Sequence, residues 1–135
     1  MSRSGYSDEG ESWQMIMYRG AVLSSIRGKR GQEFLKELIV VLDGMKAKRL
    51  ITDELESHGE FCTLGVIGQS RGLDMSKLEV DEPELIAKAF NIAPALAREI
   101  VYENDESQYY ACNSQETPEN RWDRMRKWAV DNITK

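Results

Sequence analysis

Phe61-Cys62-Thr63-Leu64-Gly65-Val66-Ile67-Gly68 constrains the fold of this chain more than any other stretch. It is a dense apolar block threaded with two glycines, and polar, helix-forming material lies on both sides of it. Glycine lacks a Cβ, so Gly65 and Gly68 let another backbone approach closely while weakening whichever helix or strand carries them. The block is therefore expected to be the packing centre. Periodicity alone fits a run this short to helix or strand. The favoured reading is a short strand entering at Glu60-Phe61, then a helix from about Cys62 to Ser70, closed by Gly72 as a C-terminal cap.

The rest of the chain reads as helices arranged around that block. Residues 1–7 form a short polar arm, and residues 8–135 contain no repeat and no long linker. A domain of that length buries roughly two-thirds of its unfolded surface and needs no metal or disulfide. Asp8 with Glu11 resembles a capping box, with Ser12 as the alternative cap, and opens a helix over about 11–27. In it Trp13, Ile16, Met17, Gly20, Ala21 and Ser24 recur at helical spacing, and the small residues leave a narrow face for another helix. Arg27-Gly28-Lys29-Arg30-Gly31 reads as a glycine-flexible connector. A second helix over about 31–43 carries the cleanest amphipathic stripe, Phe34, Leu35, Leu38, Ile39 and Leu42, and Gly44 stops it.

Between residues 45 and 60 two readings stand. Leu50-Ile51-Thr52 has β character and Ser57-His58-Gly59 reads as a turn, which suggests a hairpin pairing about 49–54 with 59–62. The rival is a short helix over 48–57. After a loop from Leu73 to Val80, Asp81 and Glu84 with Pro83 mark a helix start whose stripe is Leu85, Ile86, Ala89 and Phe90. Asn91 ends that helix and Pro94 begins the next, with Leu96, Ala97, Ile100 and Val101 facing inward. A polar, turn-rich stretch over 104–115 precedes Thr117-Pro118-Glu119, which opens a last helix buried through Trp122, Met125, Trp128, Ala129 and Ile133. The expected fold is thus mainly α, a single compact domain of five or six helices with a small hairpin around 49–62. Its expected core includes Trp13, Phe34, Leu38, Phe61, Cys62, Leu64, Gly65, Phe90, Trp122 and Trp128.

Charge and composition narrow the function. The 18 Lys and Arg against 23 Asp and Glu give a net charge of -5, which argues against a nucleic-acid coat, because phosphate binding depends on clustered cations. Cys62 and Cys112 are the only cysteines and form no metal-ligand cluster. Cys62 reads as a small core residue and Cys112 as a loop thiol. Met1 to Glu11 has no apolar leader region, and no run approaches the ~18 apolar residues of a membrane span. A cytoplasmic setting is the default expectation, with no membrane, metal or cofactor.

Four motifs invite chemistry. Gly68-Gln69-Ser70-Arg71-Gly72 matches the G-x-S-x-G elbow of serine hydrolases, but the only histidine, His58, precedes the serine where that order requires it to follow. His58 between Glu56 and Glu60 lacks a second ligand at metal spacing. Residues 85–100 resemble a helix-turn-helix, yet the would-be reading helix carries Glu99, Tyr102, Glu103, Asp105 and Glu106, which phosphates would repel. Residues 27–49 are rich in Lys and Arg, whereas 79–119 is acidic, an asymmetry that fits internal pairing or a steered partner site. Arg27, Lys29, Arg30, Lys48 and Arg49 are the candidate partner-binding residues. No catalytic constellation emerges, so the chain reads as a non-enzyme.

Met1-Ser2-Arg3-Ser4-Gly5-Tyr6-Ser7-Asp8, Ile26-Arg27-Gly28-Lys29-Arg30-Gly31-Gln32, Lys48-Arg49-Leu50-Ile51, Cys62-Thr63-Leu64-Gly65, Asn91-Ile92-Ala93, Asn104-Asp105-Glu106 and Thr117-Pro118-Glu119-Asn120-Arg121-Trp122 together resemble a family of small proteins encoded by bacteriophages and prophages. The likeness spans nearly the whole chain. A looser one, the cysteine-leucine-glycine block followed by asparagine-aspartate and a terminal helix, extends to a wider set of small phage proteins. Residues 107–115, with Tyr109, Tyr110 and Cys112, are longer than that pattern. The resemblance implies a bacterial host cytoplasm and a non-enzymatic accessory protein that binds a host or phage protein, one form being action on anti-phage defence. The alternative is a nucleic-acid-associated regulator using the helix-turn-helix-like pair and the basic connector.

Overall fold

The computed structural model describes residues 12–105 and 116–134, with side chains from Ile16 onward. In chain order it contains α1 (Ser12–Arg27), α2 (Lys29–Asp43), β1 (Glu56–Ser57), β2 (Glu60–Phe61), α3 (Thr63–Arg71), α4 (Pro83–Phe90), α5 (Pro94–Asp105) and α6 (Pro118–Asp131). The chain is a single, mainly α domain, with one antiparallel hairpin among the described residues. The residue 1–7 arm, the Trp13 side chain, Cys112 and the 107–115 segment lie outside the described residues.

Two helices organise the packing. α2 lies against α1, α3 and α6, and α5 lies against α1, α3, α4 and α6. Each has the stripe this requires. Phe34, Leu35, Leu38 and Leu42 of α2 and Leu96, Ala97 and Ile100 of α5 are buried, together with Phe90 from α4 and Met125 from α6. Burying each large side chain contributes roughly 1.5–3 kcal/mol before conformational entropy is subtracted.

The glycine-threaded block is α3 and its entrance. Cys62 is the N-cap, its sulfur accepting the Gly65 N–H at 3.4 Å, and Gly72 closes the helix in the left-handed conformation at φ 71°. Every residue from Cys62 to Gly68 is buried. A Cβ on Gly65 would collide with the Leu55 carbonyl, so this glycine is what lets the irregular 45–55 segment cross α3. Gly31 has the same role at the α1–α2 corner, where a Cβ would strike the Ser25 carbonyl.

Several expectations need correction. The hairpin pairs Ser57 with Glu60 and Glu56 with Phe61, not 49–54 with 59–62. His58 and Gly59 are both left-handed, at φ 53° and 79°, and such a two-residue turn fixes pairing to its immediate neighbours. Leu50 and Ile51 instead donate outward, to the Pro118 carbonyl (3.1 Å) and the Phe61 carbonyl (2.9 Å), and no helix forms over 48–57. α2 begins at Lys29, so only Gly28 separates it from α1 and the basic segment is no flexible connector. Asp81 is not the cap: Glu82 is the N-cap of α4 and makes no side-chain cap bond, and Pro83 opens the helix with its φ already set. Leu85 is exposed, and Phe61 and Trp128 are half-buried against the core rather than within it.

Candidate functional site

The five candidate cations fall into two groups at opposite ends of α2. Arg27, Lys29 and Arg30 form an exposed corner at its start. Lys48 and Arg49 lie beyond its end, some ~20 Å away for a helix of this length. The two groups therefore belong to different surfaces. Lys48 donates to the carbonyls of Asp43 and Met45, both at 2.9 Å, capping the last turn of α2, and sits 5.2 Å from the Trp122 ring centroid. Arg49 pairs with Glu60. Within the corner Arg30 donates to Asn91 Oδ1 at 3.3 Å, whereas Arg27 and Lys29 have no partner among the described residues.

The corner continues into the outer face of α1. Ile16, Gly20, Leu23 and Arg27 recur at i, i+4, i+7 and i+11, and so lie along one line of the helix. All four are exposed, Ile16 by 70%, and Met17 beside them by 64%. The narrow face expected to receive another helix receives none among the described residues, and nothing lies within 4 Å of a Cβ placed on Gly20. α1 packs inward through Val22 and Ile26 instead. Between Glu11 and Glu33 there is no acidic residue, so this surface is apolar at one end and cationic at the other. That acid-free run is a sequence signal, and the basic count over 27–49 obscured it.

At the far end of α2 a half-open cleft of about 800 Å³ lies between its last turn, the 45–49 segment, the hairpin and α3. Val40, Val41, Met45, Phe61 and Val66 give it apolar walls, and Lys46, Arg49 and Glu60 supply its charges. No sequence pattern marked it, because its walls come from four separate segments.

Two buried amide side chains tie the elements together. Asn104 Oδ1 accepts from the Thr63 N–H (3.1 Å) and hydroxyl (2.7 Å), and its Nδ2 donates to the Ile51 carbonyl (2.9 Å) and to Asp105 Oδ1 (2.6 Å). One side chain thus ties α5 to the start of α3 and to the 45–55 segment. Gln32 likewise donates to the carbonyls of Ile26 (2.7 Å) and Asn132 (3.0 Å) and accepts from the Thr134 N–H (2.9 Å). Burial pushes the Cys62 thiol up to about 12, so it is an inert cap and not a nucleophile.

The remaining motifs also resolve into structure. Gly68 to Arg71 lie inside α3, without the strand-to-helix turn that an elbow needs. Arg71 there makes a two-pronged pair with Glu37 (2.6 and 3.0 Å) and donates to the Phe90 carbonyl at 2.9 Å. His58 is exposed in the hairpin turn, its Nδ1 3.0 Å from Ser57 Oγ. In the helix-turn-helix-like pair, no residue of α5 beyond Pro94 is exposed. Glu99, expected at the surface, is 4% exposed, while Tyr102, Glu103 and Asp105 are half-buried. Glu106 lies outside the described residues. Surrounded by four helices, α5 presents no reading face.

Glu99 and Glu103 share one face of α5, flanked by Arg19, 3.6 Å from Glu99, and Arg124, 3.9 Å from Glu103. Burial first, and the neighbouring Glu99 carboxyl second, raise Glu103 to about 7 from 4.5, against the opposing pull of Arg124 and Arg19. The folded state therefore holds this proton more tightly than the unfolded chain does. The stabilisation is complete below about 4.5 and is lost as pH rises towards about 7. Glu103→Gln, which mimics the protonated acid, should gain about 1–2 kcal/mol over the native protein above that window, and little below it. Urea midpoints of both proteins across pH test this, and a constant difference would refute it.

Neither a family model, nor a curated protein, nor a solved structure matches the chain.

Proposed function

We propose that this is a non-enzymatic accessory protein of the phage or prophage kind its motifs resemble, acting in a bacterial cytoplasm by binding a host or phage protein. The observation that carries the reading is the exposed Ile16–Gly20–Leu23 line running into Arg27, Lys29 and Arg30 with no acid in between. Such a surface complements an amphipathic partner helix with an apolar face and acidic residues at one end. The apolar half favours protein over nucleic acid, whose binding rests on phosphate contacts.

The position of Lys29 adds an argument. It lies in the first turn of α2, where the helix dipole disfavours a cation, and that turn holds no acid. Lys29→Glu should therefore stabilise the fold by roughly 0.3–1 kcal/mol while weakening partner binding. A residue that costs stability and gains binding is what a partner-facing role predicts.

Affinity capture from bacterial host lysate with the native protein, Lys29→Glu and the Ile16→Glu/Leu23→Glu pair tests the proposal. The native chain should retain a stoichiometric protein, Lys29→Glu less of it, and the double variant none. Equal capture by all three would refute the surface. Turnover of a small molecule by pure protein, with no partner, would favour an enzyme. If duplex DNA binds instead, and replacing Lys29 and Arg30 with alanine flattens its salt dependence by about two units, the corner is a phosphate contact and the regulator reading holds.

A further inference from the structure

We propose that the cleft at the end of α2 is a binding site for a small amphiphilic anion, a molecule with an apolar chain or ring ending in a carboxylate. Its size, about 800 Å³, falls within the roughly 300–1,000 Å³ of small-ligand sites. Val40, Val41, Met45, Phe61 and Val66 line it, and Val40 is 72% exposed although it sits in a strongly amphipathic helix. The cleft leaves apolar surface wet that a ligand chain would cover.

The charges in the cleft select the sign of the ligand. Lys46 has no hydrogen-bond or ion-pair partner among the described residues. Arg49 is held by Glu60 through a solvent-exposed pair, and exposed pairs of this kind stabilise weakly and exchange readily. Lys46, Arg49 and Glu60 leave one positive charge in excess. A ligand carboxylate would therefore meet Lys46 directly and compete with Glu60 for Arg49. The α2 carbonyls that would repel an anion are already covered: backbone N–H groups of Gly44 and Met45 take those of Val40, Val41 and Leu42, and Lys48 takes that of Asp43.

A peptide strand is the poorer occupant. The Phe61 carbonyl already accepts the Ile51 N–H, and β2 is paired with β1 on its other side, so β2 offers no open edge for an added strand. The polar groups on the α3 side, Gln69 and Ser70, suit a ligand that needs few directed hydrogen bonds. This site lies at the opposite end of α2 from the proposed partner surface and does not depend on it.

Titration of the full chain with octanoate and with octanol, followed by amide NMR shifts, tests the assignment. Octanoate should bind saturably with one-to-one stoichiometry, shifting the amides of Met45, Lys46, Gln69 and Ser70, and octanol should bind at least about tenfold more weakly. Lys46→Glu and Val40→Asp both change exposed residues, and each should weaken octanoate binding by about tenfold or more. Unchanged far-UV circular dichroism shows that either variant has folded, and Ser70→Trp, which fills the cleft from its exposed side, replaces one that has not. Absence of saturable binding overturns the proposal. So do equal binding of octanol and octanoate, or failure of a folded variant to weaken it.

Discussion

Gly65→Ala should lower the stability of the domain by about 3 kcal/mol or more, nearly as much as Gly65→Leu, because the collision begins at the Cβ. A Cβ at this position would run into the Leu55 carbonyl oxygen and lie 3.1 Å from the Phe61 Cβ. Backbone on one side and a core-packed side chain on the other leave little room to yield. The Leu55 carbonyl also accepts the Cys62 N–H at 3.2 Å, so displacing it undoes the chain's entry into α3. Gly20→Ala is the matched control. Gly20 sits within α1, nothing lies within 4 Å of a Cβ there, and alanine should stabilise by roughly 0.5–1 kcal/mol through helix propensity alone. Urea denaturation of the three variants reads the contrast. A near-neutral Gly65→Ala beside a costly Gly65→Leu would mean side-chain crowding, and would sink the backbone explanation.

What was legible in the sequence was what is local. Gly72 and Asn91 end their helices in left-handed caps, and the Thr117 hydroxyl accepts the Asn120 N–H at 3.0 Å, because capping needs only a few consecutive residues. The α2 stripe was equally plain, its buried residues recurring over three turns. The hairpin register was not, since strands of two residues carry no alternation to read. For α1, spacing revealed apolar residues without showing which side this chain would cover. Val22 and Ile26 won the interior, and Ile16 and Met17 remained outside. The basic residues formed one group in sequence and two in space because a straight helix runs between them.

The polar residues that hold the fold together were the least legible, because a buried amide and a solvated one look alike in sequence. Gln32, Glu99 and Asn104 lie in helices where solvent exposure is the ordinary expectation for their type, yet all three are buried. The one signal for Asn104 was its place in the resemblance that links cysteine-leucine-glycine to asparagine-aspartate. In the structure the Asn104 side chain is the hydrogen-bond partner of Thr63, the residue after Cys62.

Replacing Asn104 should accordingly be among the most damaging changes of a single polar side chain. Asn104→Leu keeps the volume but strands the Thr63 N–H, the Thr63 hydroxyl and the Ile51 carbonyl in the interior, at ~1–3 kcal/mol for each group left without a partner. A loss of ~3–5 kcal/mol is expected once partial relaxation is allowed. Asn104→Asp separates hydrogen bonding from packing. Ionised, it keeps the acceptor for Thr63 but loses the donor to Ile51 and sets a second carboxylate beside Asp105; protonated, it regains a donor. Its pKa should therefore be raised in the folded state, so its stability should fall as pH climbs through that value, while Asn104→Leu shows no such added dependence. Thr63→Val completes the cycle, since it removes the hydroxyl while leaving the backbone N–H. In an Asn104→Leu background its cost should shrink by ~1 kcal/mol or more, because the partner it would abandon is already gone. Strict additivity, measured by urea midpoints, would show that the two side chains are not coupled.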